Sequence, residues 1–367
     1  MPDPFQYSDD RGPFKVVHIY EPSLQLKGIL VVDNIAAGPS IGGLRMASNV
    51  TTEECFRLAR AMTLKNAAAG LPHGGGKSVL VGDPRMPEEQ KEALIRAFAC
   101  ALRNTDEYIV GPDMGTNETC MAWVHDEIGR AVGLPRELGG IPLDEIGATG
   151  WGLFHAAKTA KDFCDFQLKG ARVVVQGFGA VGKHAARFLT KKGAVLVGAS
   201  DSQSAVINQD GLNVNDLIKY KTETGKLTDF PQGKNVDRDA IIAEECEIWI
   251  PAARPDVIHQ GNVKQLNTKL VLQGANIAFT EEAENYLHEK GVVVMPDFIA
   301  NAGGVICAAM EYRGSTQKAA MDTIAEKIAT NTEAVLTQSK KQVITPRQAA
   351  LNIAKQRVQN AMAYRRF

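Results

Sequence analysis

The sequence predicts an α/β protein with two parts, an N-terminal α+β domain followed by a Rossmann-type dinucleotide-binding domain. After about residue 140, short β-branched runs alternate with helical segments, as they do in a parallel sheet. A glycine fingerprint lies between one of these strands and the next helix. Two lysines, Lys65 and Lys77, bracket a run of three glycines in the first part. We place the domains at 1–140 and 141–334, with C-terminal helices at about 335–367 completing the first domain.

Composition excludes several function classes. The chain has 367 residues, is 44% hydrophobic and 23% charged, and carries a formal net charge of -1. This composition is typical of a globular protein with buried hydrophobic cores. The net charge gives no positive potential that would attract nucleic acid. Apolar runs are too short to span a membrane, and six scattered cysteines without a C-x-x-C pair indicate neither a metal site nor disulfides. Residues 1–4 lack the start of a signal peptide, so we expect a cytoplasmic protein.

The first domain is expected to begin with strands at 16–20 and 27–33. Thr51 and Glu54 have capping-box spacing, which predicts a helix that begins there and stops at Gly70, with Lys65 on its last turn. The glycines at 74–76 are then expected to form a turn that carries Lys77. Further helices are predicted at 87–104 and 118–133. The two lysines are thus expected in or beside loops, where the simplest alternative is a solvated surface.

The second domain opens with the strand 171–176, and Gly177-x-Gly179-x-x-Gly182 follows it at once. A helix to Gly193 and a strand at 195–199 come next. In this context the fingerprint predicts dinucleotide binding. The first glycine permits the tight turn, the second lets the backbone approach the pyrophosphate, and the third lets the helix pack on the strand.

Cofactor choice depends on the end of the following strand. Asp201 would accept hydrogen bonds from the adenosine ribose hydroxyls, which favours NAD. The neighbouring Ser202 is small and polar, and Lys183 or His184 could neutralise a 2′-phosphate. NADP therefore stays open as an alternative cofactor.

Later strand-like runs at 246–253, 270–276 and 292–296 continue the predicted sheet. Each ends in small or amide side chains, as expected where strand ends line a ligand crevice. Asn276 and Asn301 are candidates to bind the nicotinamide or the substrate, with turn or capping chemistry as an equal alternative.

A series of motifs recurs here in a consistent order. They are Gly-Gly-Leu-Arg-Met at 42–46, the helix through 59–71, Gly-Gly-Gly-Lys at 74–77, Gly-Pro-Asp-Met-Gly-Thr at 111–116, Ala-Thr-Gly at 148–150, the dinucleotide fingerprint, and Asn-Ala-Gly-Gly at 301–304. Over about residues 25–315 the chain resembles the glutamate/leucine/phenylalanine/valine dehydrogenases. The resemblance implies reversible oxidative deamination of an L-amino acid to its 2-oxo acid and ammonia with NAD(P). It also implies a cleft between the two domains and a homo-oligomer built through the first.

The resemblance also implies residue roles. Lys65 would bind the substrate α-carboxylate, Lys77 would be the catalytic lysine that takes a proton from water, and Asp113 would be the second proton carrier. Further substrate-binding positions are Ile41, Gly43, Asn301, Val305 and Ala308. Cofactor-binding positions are Thr149, Gly177, Phe178, Gly179, Ala180, Val181, Gly182, Asp201, Ser202, Ala252, Ala253, Asn276 and Asn301.

Substrate choice depends on one departure from the family pattern. In glutamate-specific members a lysine that holds the side-chain carboxylate directly precedes the Gly-Gly pair, and here that position is Ile41. An aliphatic side chain cannot pair with a second carboxylate, so we expect an apolar, branched-chain or aromatic substrate. Against this, the stretches 200–202, 250–253 and 274–277 look more like glutamate dehydrogenases, and Arg45 or Arg313 could replace the missing lysine.

A different class of function also fits a dinucleotide fold. The chain could be a regulator that binds the cofactor and has lost turnover, because fold alone does not establish function. The presence of Lys65, Lys77 and Asp113 together argues against that alternative.

Overall fold

A computed structural model describes residues 5–365 and divides them into two units. The first comprises the chain up to Pro142, Val305–Ala320 and the chain from Ile353 onward, and the second comprises Leu143–Gly304 and Met321–Asn352. Residues 1–4, which entered the localisation expectation, lie outside the described part. Among residues 5–365 no helix has the length and apolarity of a membrane span, and no three His, Cys, Asp or Glu side chains cluster as metal ligands.

The first unit contains a five-stranded sheet with helices on both faces. Its elements are β1 (Lys15–Glu21), β2 (Leu26–Asn34), β3 (Ser40–Ala47), α1 (Thr52–Ala68), β4 (Gly74–Val81), α2 (Glu88–Ala101), β5 (Tyr108–Pro112) and α3 (Glu118–Ile128). The strand order is β1-β2-β4-β3-β5, with β3 parallel to β4 and β5. Because side chains alternate along a strand, Leu44 and Leu80 pack with α2 and α3, whereas Val31 and Val79 pack with Cys55 of α1.

The predicted glycine turn is wrong, because residues 74–76 begin strand β4 in the middle of this sheet. A Cβ on Gly75 would lie 2.0 Å from the backbone nitrogen of Thr63 in α1. The glycine is therefore required by the close approach of helix and strand, and Lys77 lies on a strand instead of a loop. The helix expected to reach 133 ends at Ile128, where Gly129 takes a left-handed φ of 68°.

The second unit contains a seven-stranded sheet of the predicted Rossmann type, which confirms the fold class. Its elements up to residue 300 are α4 (Leu143–Ile146), α5 (Ala148–Ala160), β6 (Arg172–Gln176), α6 (Ala180–Thr190), β7 (Val195–Ser200), β8 (Ala205–Ile207), α7 (Val214–Thr224), β9 (Lys234–Val236), β10 (Ile248–Pro251), β11 (Leu270–Leu272), α8 (Glu281–Glu289), β12 (Val293–Met295) and α9 (Asp297–Ala300). The strand order is β12-β11-β10-β6-β7-β8-β9. Strands β12 to β7 are parallel. The connections leave β6 in opposite directions, which places a topological switch point at its carboxyl end.

Three more helices complete the units, α10 (Gly303–Tyr312), α11 (Gln317–Gln342) and α12 (Pro346–Met362). Near the start of α12, Arg347 pairs with Glu284 and Asp297 of the second unit. Near its end, Arg357 donates to the carbonyl oxygens of Ala67 and Ala68 at the end of α1 in the first unit. The C-terminal helices thus divide near residue 353, with residues 321–352 in the second unit and the later ones in the first.

Gly75→Ala should destabilise the first unit strongly, because the added Cβ meets helix backbone that no rotamer change can move. We expect a loss of about 3 kcal/mol or more in the free energy of unfolding, seen as a lower thermal midpoint. Gly111→Ala on β5 is the matched control, because its Cβ would lie 3.3 Å from a side-chain methyl of Val132 instead of backbone and should cost less than about 1 kcal/mol. Equal midpoints for the two variants would contradict the close approach of α1 and β4.

Candidate active site

Lys77 and Asp113 form an ion pair on the α1 face of the first sheet. Lys77 lies on the central strand β4 and Asp113 directly follows β5, and the Nζ atom of Lys77 donates to Oδ2 of Asp113. The Lys77 side chain is only 8% exposed, so its charge is largely withdrawn from water. The structure thus brings together the two residues expected to move protons.

Opposing effects act on the pKa of the Asp113 carboxyl. Burial alone would raise its pKa, but the charge and hydrogen bond of Lys77, a backbone N–H and the charge of Arg45 outweigh it and hold that pKa below the ordinary value. Its backbone is also fixed, because the hydroxyl of Thr116 accepts from the Asp113 N–H at 3.0 Å and donates to the Leu44 carbonyl. Asp113 is therefore a fixed carboxylate at neutral pH.

Arg45 joins this pair on the same face. Its Nε donates to Oδ2 of Asp113 at 3.2 Å, and its Nη1 donates to Oε1 of Glu54 at 2.6 Å. The sequence identified Arg45 only as a replacement cation and did not identify Glu54 beyond its capping position. Because side chains alternate between the two faces of a strand, the sequence could have placed Arg45 on the same face of β3 as Gly43. The contact to Glu54, however, depends on how α1 packs on the sheet.

Ile41 and Gly43 precede Arg45 on that face of β3. Ile41 is 4% exposed and lies opposite Gly75 and Ile109 in the neighbouring strands. A Cβ on Gly43 would lie 2.8 Å from the Asp113 Cβ and 3.1 Å from the Lys77 Nζ. A glycine at 43 therefore leaves the space that the ion pair occupies.

Lys65 lies in the last turn of α1, as the sequence predicts, and is half-buried. The adjacent Asn66 fixes this end of the helix, because its amide nitrogen donates to the carbonyl of Gly74 at 2.7 Å and to that of Ile41 at 3.4 Å. The end of α1 is thus tied to β4, which carries Lys77, and to the neighbouring strand β3. No sequence pattern singled out Asn66.

Helix α10 carries Val305 and Ala308 on one side, one turn apart and partly exposed. Glu311, one further turn along, is buried and accepts from the backbone N–H groups of Gly133, Leu134 and Ile141 at 2.7, 3.0 and 2.8 Å. A carboxylate that accepts three backbone donors fixes this part of α10 within the first unit. The sequence did not identify Glu311.

The nucleotide-binding candidates of the second unit gather at the carboxyl ends of β6, β10 and β11. Gly177 has a φ of 96°, and a Cβ there would lie within 2.8 Å of backbone atoms of Ala252 and Ala253. Gly179, at the start of α6, would meet no atom within 4 Å. Open space thus adjoins the first turn of α6, where free backbone N–H groups favour an anion. These residues fit the pyrophosphate of a dinucleotide.

Other cofactor candidates differ in what they offer. Asn301 donates to the side-chain oxygen of Asn276 at 2.8 Å, so the two amides lie together at this edge. A Cβ on Gly304 would lie 3.4 Å from the Thr149 hydroxyl, which places Thr149 beside the 301–304 segment. The Phe178 side chain is buried, so it offers only backbone. Ala180, Val181 and Gly182 form the first turn of α6.

The Asp201 carboxylate already accepts hydrogen bonds from other residues of the second unit. Oδ1 accepts from the N–H groups of Gln203 at 2.9 Å and Ser204 at 3.1 Å, and Oδ2 accepts from Leu227 N–H at 2.8 Å. The Nζ of Lys221 on α7 lies 3.7 Å from Oδ2, and the Asp201 side chain is 5% exposed. A carboxylate has about four acceptor positions, so three backbone donors and the neighbouring Lys221 ammonium leave Asp201 little capacity for a ribose hydroxyl.

Comparison with known protein families shows to which family this chain belongs. Residues 139–366 match the Glutamate/Leucine/Phenylalanine/Valine dehydrogenase model, and residues 9–130 match the Glu/Leu/Phe/Val dehydrogenase dimerisation domain. The chain belongs to the Glu/Leu/Phe/Val dehydrogenase family. It is therefore an amino acid dehydrogenase, an oxidoreductase that depends on NAD(P).

Curated relatives of this dehydrogenase include glutamate dehydrogenases. It is 37% identical over 292 residues to the NADP-specific glutamate dehydrogenase of Saccharolobus shibatae, covering 76% of this chain and 69% of that protein. It is 35% identical over 355 residues to the glutamate dehydrogenase of Aeropyrum pernix, covering 90% and 85%.

Solved structures show the same architecture as this dehydrogenase. The hetero-hexameric glutamate dehydrogenase of Thermus thermophilus, in a Leu-bound form, superposes with a TM-score of 0.83 at 28% identity over 95% of this chain and 89% of that one. L-tryptophan dehydrogenase from Nostoc punctiforme gives 0.76 over 95% and 96% of the two chains. At 24% identity the latter supports the fold alone.

Proposed function

We propose that this dehydrogenase catalyses reversible oxidative deamination of an L-amino acid with an apolar, branched-chain or aromatic side chain. The balanced reaction converts the amino acid, NAD(P)+ and water to a 2-oxo acid, ammonium and NAD(P)H, with release of a proton. The observation that carries the substrate class is Ile41, buried on the same sheet face as the Lys77–Asp113 pair. We also propose that the enzyme is a homo-oligomer, since its first unit matches a dimerisation domain.

The chain's own residues supply binding and proton transfer. A dinucleotide held at Gly177, Gly179 and the first turn of α6 would supply the acceptor for the hydride that leaves the substrate Cα. Lys65 holds the α-carboxylate, and neutral Lys77 takes a proton from the water that attacks the iminium carbon. Asp113 moves protons to and from the substrate nitrogen. This division of roles suits a largely buried ammonium–carboxylate pair in contact, because each group can return to its charged form between proton transfers.

The side-chain preference follows from charge pairing. A γ-carboxylate placed beside Ile41 would be buried without a cation, which costs several kcal/mol. Arg45 cannot take over easily, because its guanidinium already binds Asp113 and Glu54. Arg313 lies exposed beyond the end of α10. Val305 and Ala308 are apolar as well, which supports a pocket for a hydrocarbon side chain.

Reductive amination of three 2-oxo acids with ammonia and NAD(P)H tests this preference. We expect kcat/KM for 4-methyl-2-oxopentanoate or phenylpyruvate to exceed that for 2-oxoglutarate by about tenfold or more, since an unpaired buried charge costs at least 1.4 kcal/mol. Ile41→Lys should shift the ratio toward 2-oxoglutarate, and Ile41→Leu, the matched control, should not. A wild-type preference for 2-oxoglutarate, as the named relatives suggest, would overturn the proposal. Absence of turnover with every common amino acid would favour a regulator.

We propose further that NADP is accepted at least as well as NAD. Asp201 is saturated by internal donors, so the ribose is left to Ser202 and to the lysines Lys183 and Lys221. Burial lowers the pKa of Lys221, the Asp201 carboxylate raises it, and the nearby charge of Lys183 lowers it. Two cations, Lys221 and Lys183, therefore lie near the shielded Asp201 carboxylate. An added 2′-phosphate would relieve that repulsion. The NADP-specific relative from Saccharolobus shibatae supports the same choice.

Lys221→Ala should raise KM for NADPH about tenfold, because a charge-assisted hydrogen bond contributes about 1.5 kcal/mol, and should leave KM for NADH nearly unchanged. Lys219→Ala is the matched control, since Lys219 lies on the same helix and is exposed. Steady-state kinetics with both cofactors provide the measurement. An equal effect of Lys221→Ala on NADPH and NADH would contradict a 2′-phosphate contact.

A further inference from the structure

Arg45 is held between two carboxylates that come from different elements. Its Nη1 donates to Glu54 in the first turn of α1 at 2.6 Å, and its Nε donates to Asp113 after β5 at 3.2 Å. The Arg45 side chain is 20% exposed. Because both ends of the guanidinium are occupied, its position on β3 is fixed before any substrate binds.

The oxygen that Arg45 contacts is the one that Lys77 contacts. Both cations donate to Oδ2 of Asp113. They differ chemically, because an arginine remains charged in proteins whereas a lysine loses its proton readily when desolvated. In the proposed reaction Lys77 must pass through its neutral form. At that moment Asp113 would be a buried carboxylate without a cation, were Arg45 not there.

We propose that Arg45, anchored by Glu54, is a positioning residue that keeps Asp113 ionised and oriented while Lys77 gives up and regains its proton. This inference rests on the proposed function, because it assumes that both residues exchange protons with the substrate. Because of Arg45, Asp113 can remain charged whether Lys77 is protonated or neutral.

The other titratable groups packed around Asp113 do not share this role. Tyr108 on β5 and Cys55 on α1 are buried, and burial raises the pKa of Tyr108 well above its usual range and that of Cys55 to about 12. Both therefore stay neutral at working pH. The charged side chains that contact Asp113 in the described part of the chain include Lys77 from β4 and Arg45 from β3, and Arg45 links Asp113 to Glu54 of α1.

The pH profile of kcat/KM for amino acid oxidation tests the proposal. In Arg45→Gln the Asp113 carboxyl loses its permanent cation, so its pKa should rise. The acid limb of the profile, where kcat/KM falls at low pH, should then move upward by about one pH unit. Arg45→Lys should restore part of the shift, and Glu54→Gln should move the limb less in the same direction. KM for the cofactor should not change.

Arg60 offers a matched control in the same unit. It also bridges two carboxylates, with Nε 2.8 Å from Asp33 and Nη1 2.6 Å from Asp9, but neither belongs to the site. Arg60→Gln should therefore lower stability without moving the acid limb. An unmoved limb in Arg45→Gln, or an equal shift in Arg60→Gln, would overturn the inference. If Arg45→Gln does not fold, an unmoved limb in Glu54→Gln overturns it.

A second measurement separates this inference from the proposed function. In pH-difference infrared spectra of the substrate-free protein, the carboxyl band lost in Asp113→Asn identifies Asp113, and its midpoint should rise in Arg45→Gln. A raised midpoint in a protein whose wild type oxidises no amino acid would support the Arg45 contact and refute the proposed function. Normal wild-type turnover with an unmoved midpoint would refute the role of Arg45 alone.

Discussion

A charge withdrawn from water must be paired, and this requirement organises the first unit. Lys77 is nearly buried on the central strand, so Asp113 must lie beside it, and Asp113 in turn contacts Arg45, which Glu54 anchors. The result is a line of alternating charges that crosses from the sheet to α1. The stability of this unit and the proposed proton transfers would therefore depend on the same four side chains, which contact one another without a bound substrate.

Much of this arrangement follows from the sequence, and the rest depends on packing. The capping-box spacing of Thr51 and Glu54 correctly gave the start of α1, and the fingerprint correctly gave β6 and α6. Three consecutive glycines, however, normally indicate a turn. Only the backbone of α1, which would lie 2.0 Å from a Cβ on Gly75, shows why they belong to a strand.

The second unit illustrates the same limit. An acidic residue at the end of the strand after a glycine fingerprint is the usual ribose ligand, and Asp201 directly follows β7. Its availability is another matter, because three backbone N–H groups and Lys221 converge on Asp201. Leu227 and Lys221 lie some twenty residues or more further along the chain, so no local pattern could reveal that the carboxylate is already satisfied.

Replacement of the central lysine tests the account most directly. Lys77→Ala should lower kcat by about a thousandfold, in the range expected for loss of a general acid–base group, while the affinity for NADPH measured by fluorescence stays close to wild type. Lys15→Ala, which removes a more exposed ion pair with Glu107 in the same unit, should keep normal turnover. Activity of Lys77→Ala within about tenfold of wild type would contradict the assignment of Lys77 as the group that exchanges the proton.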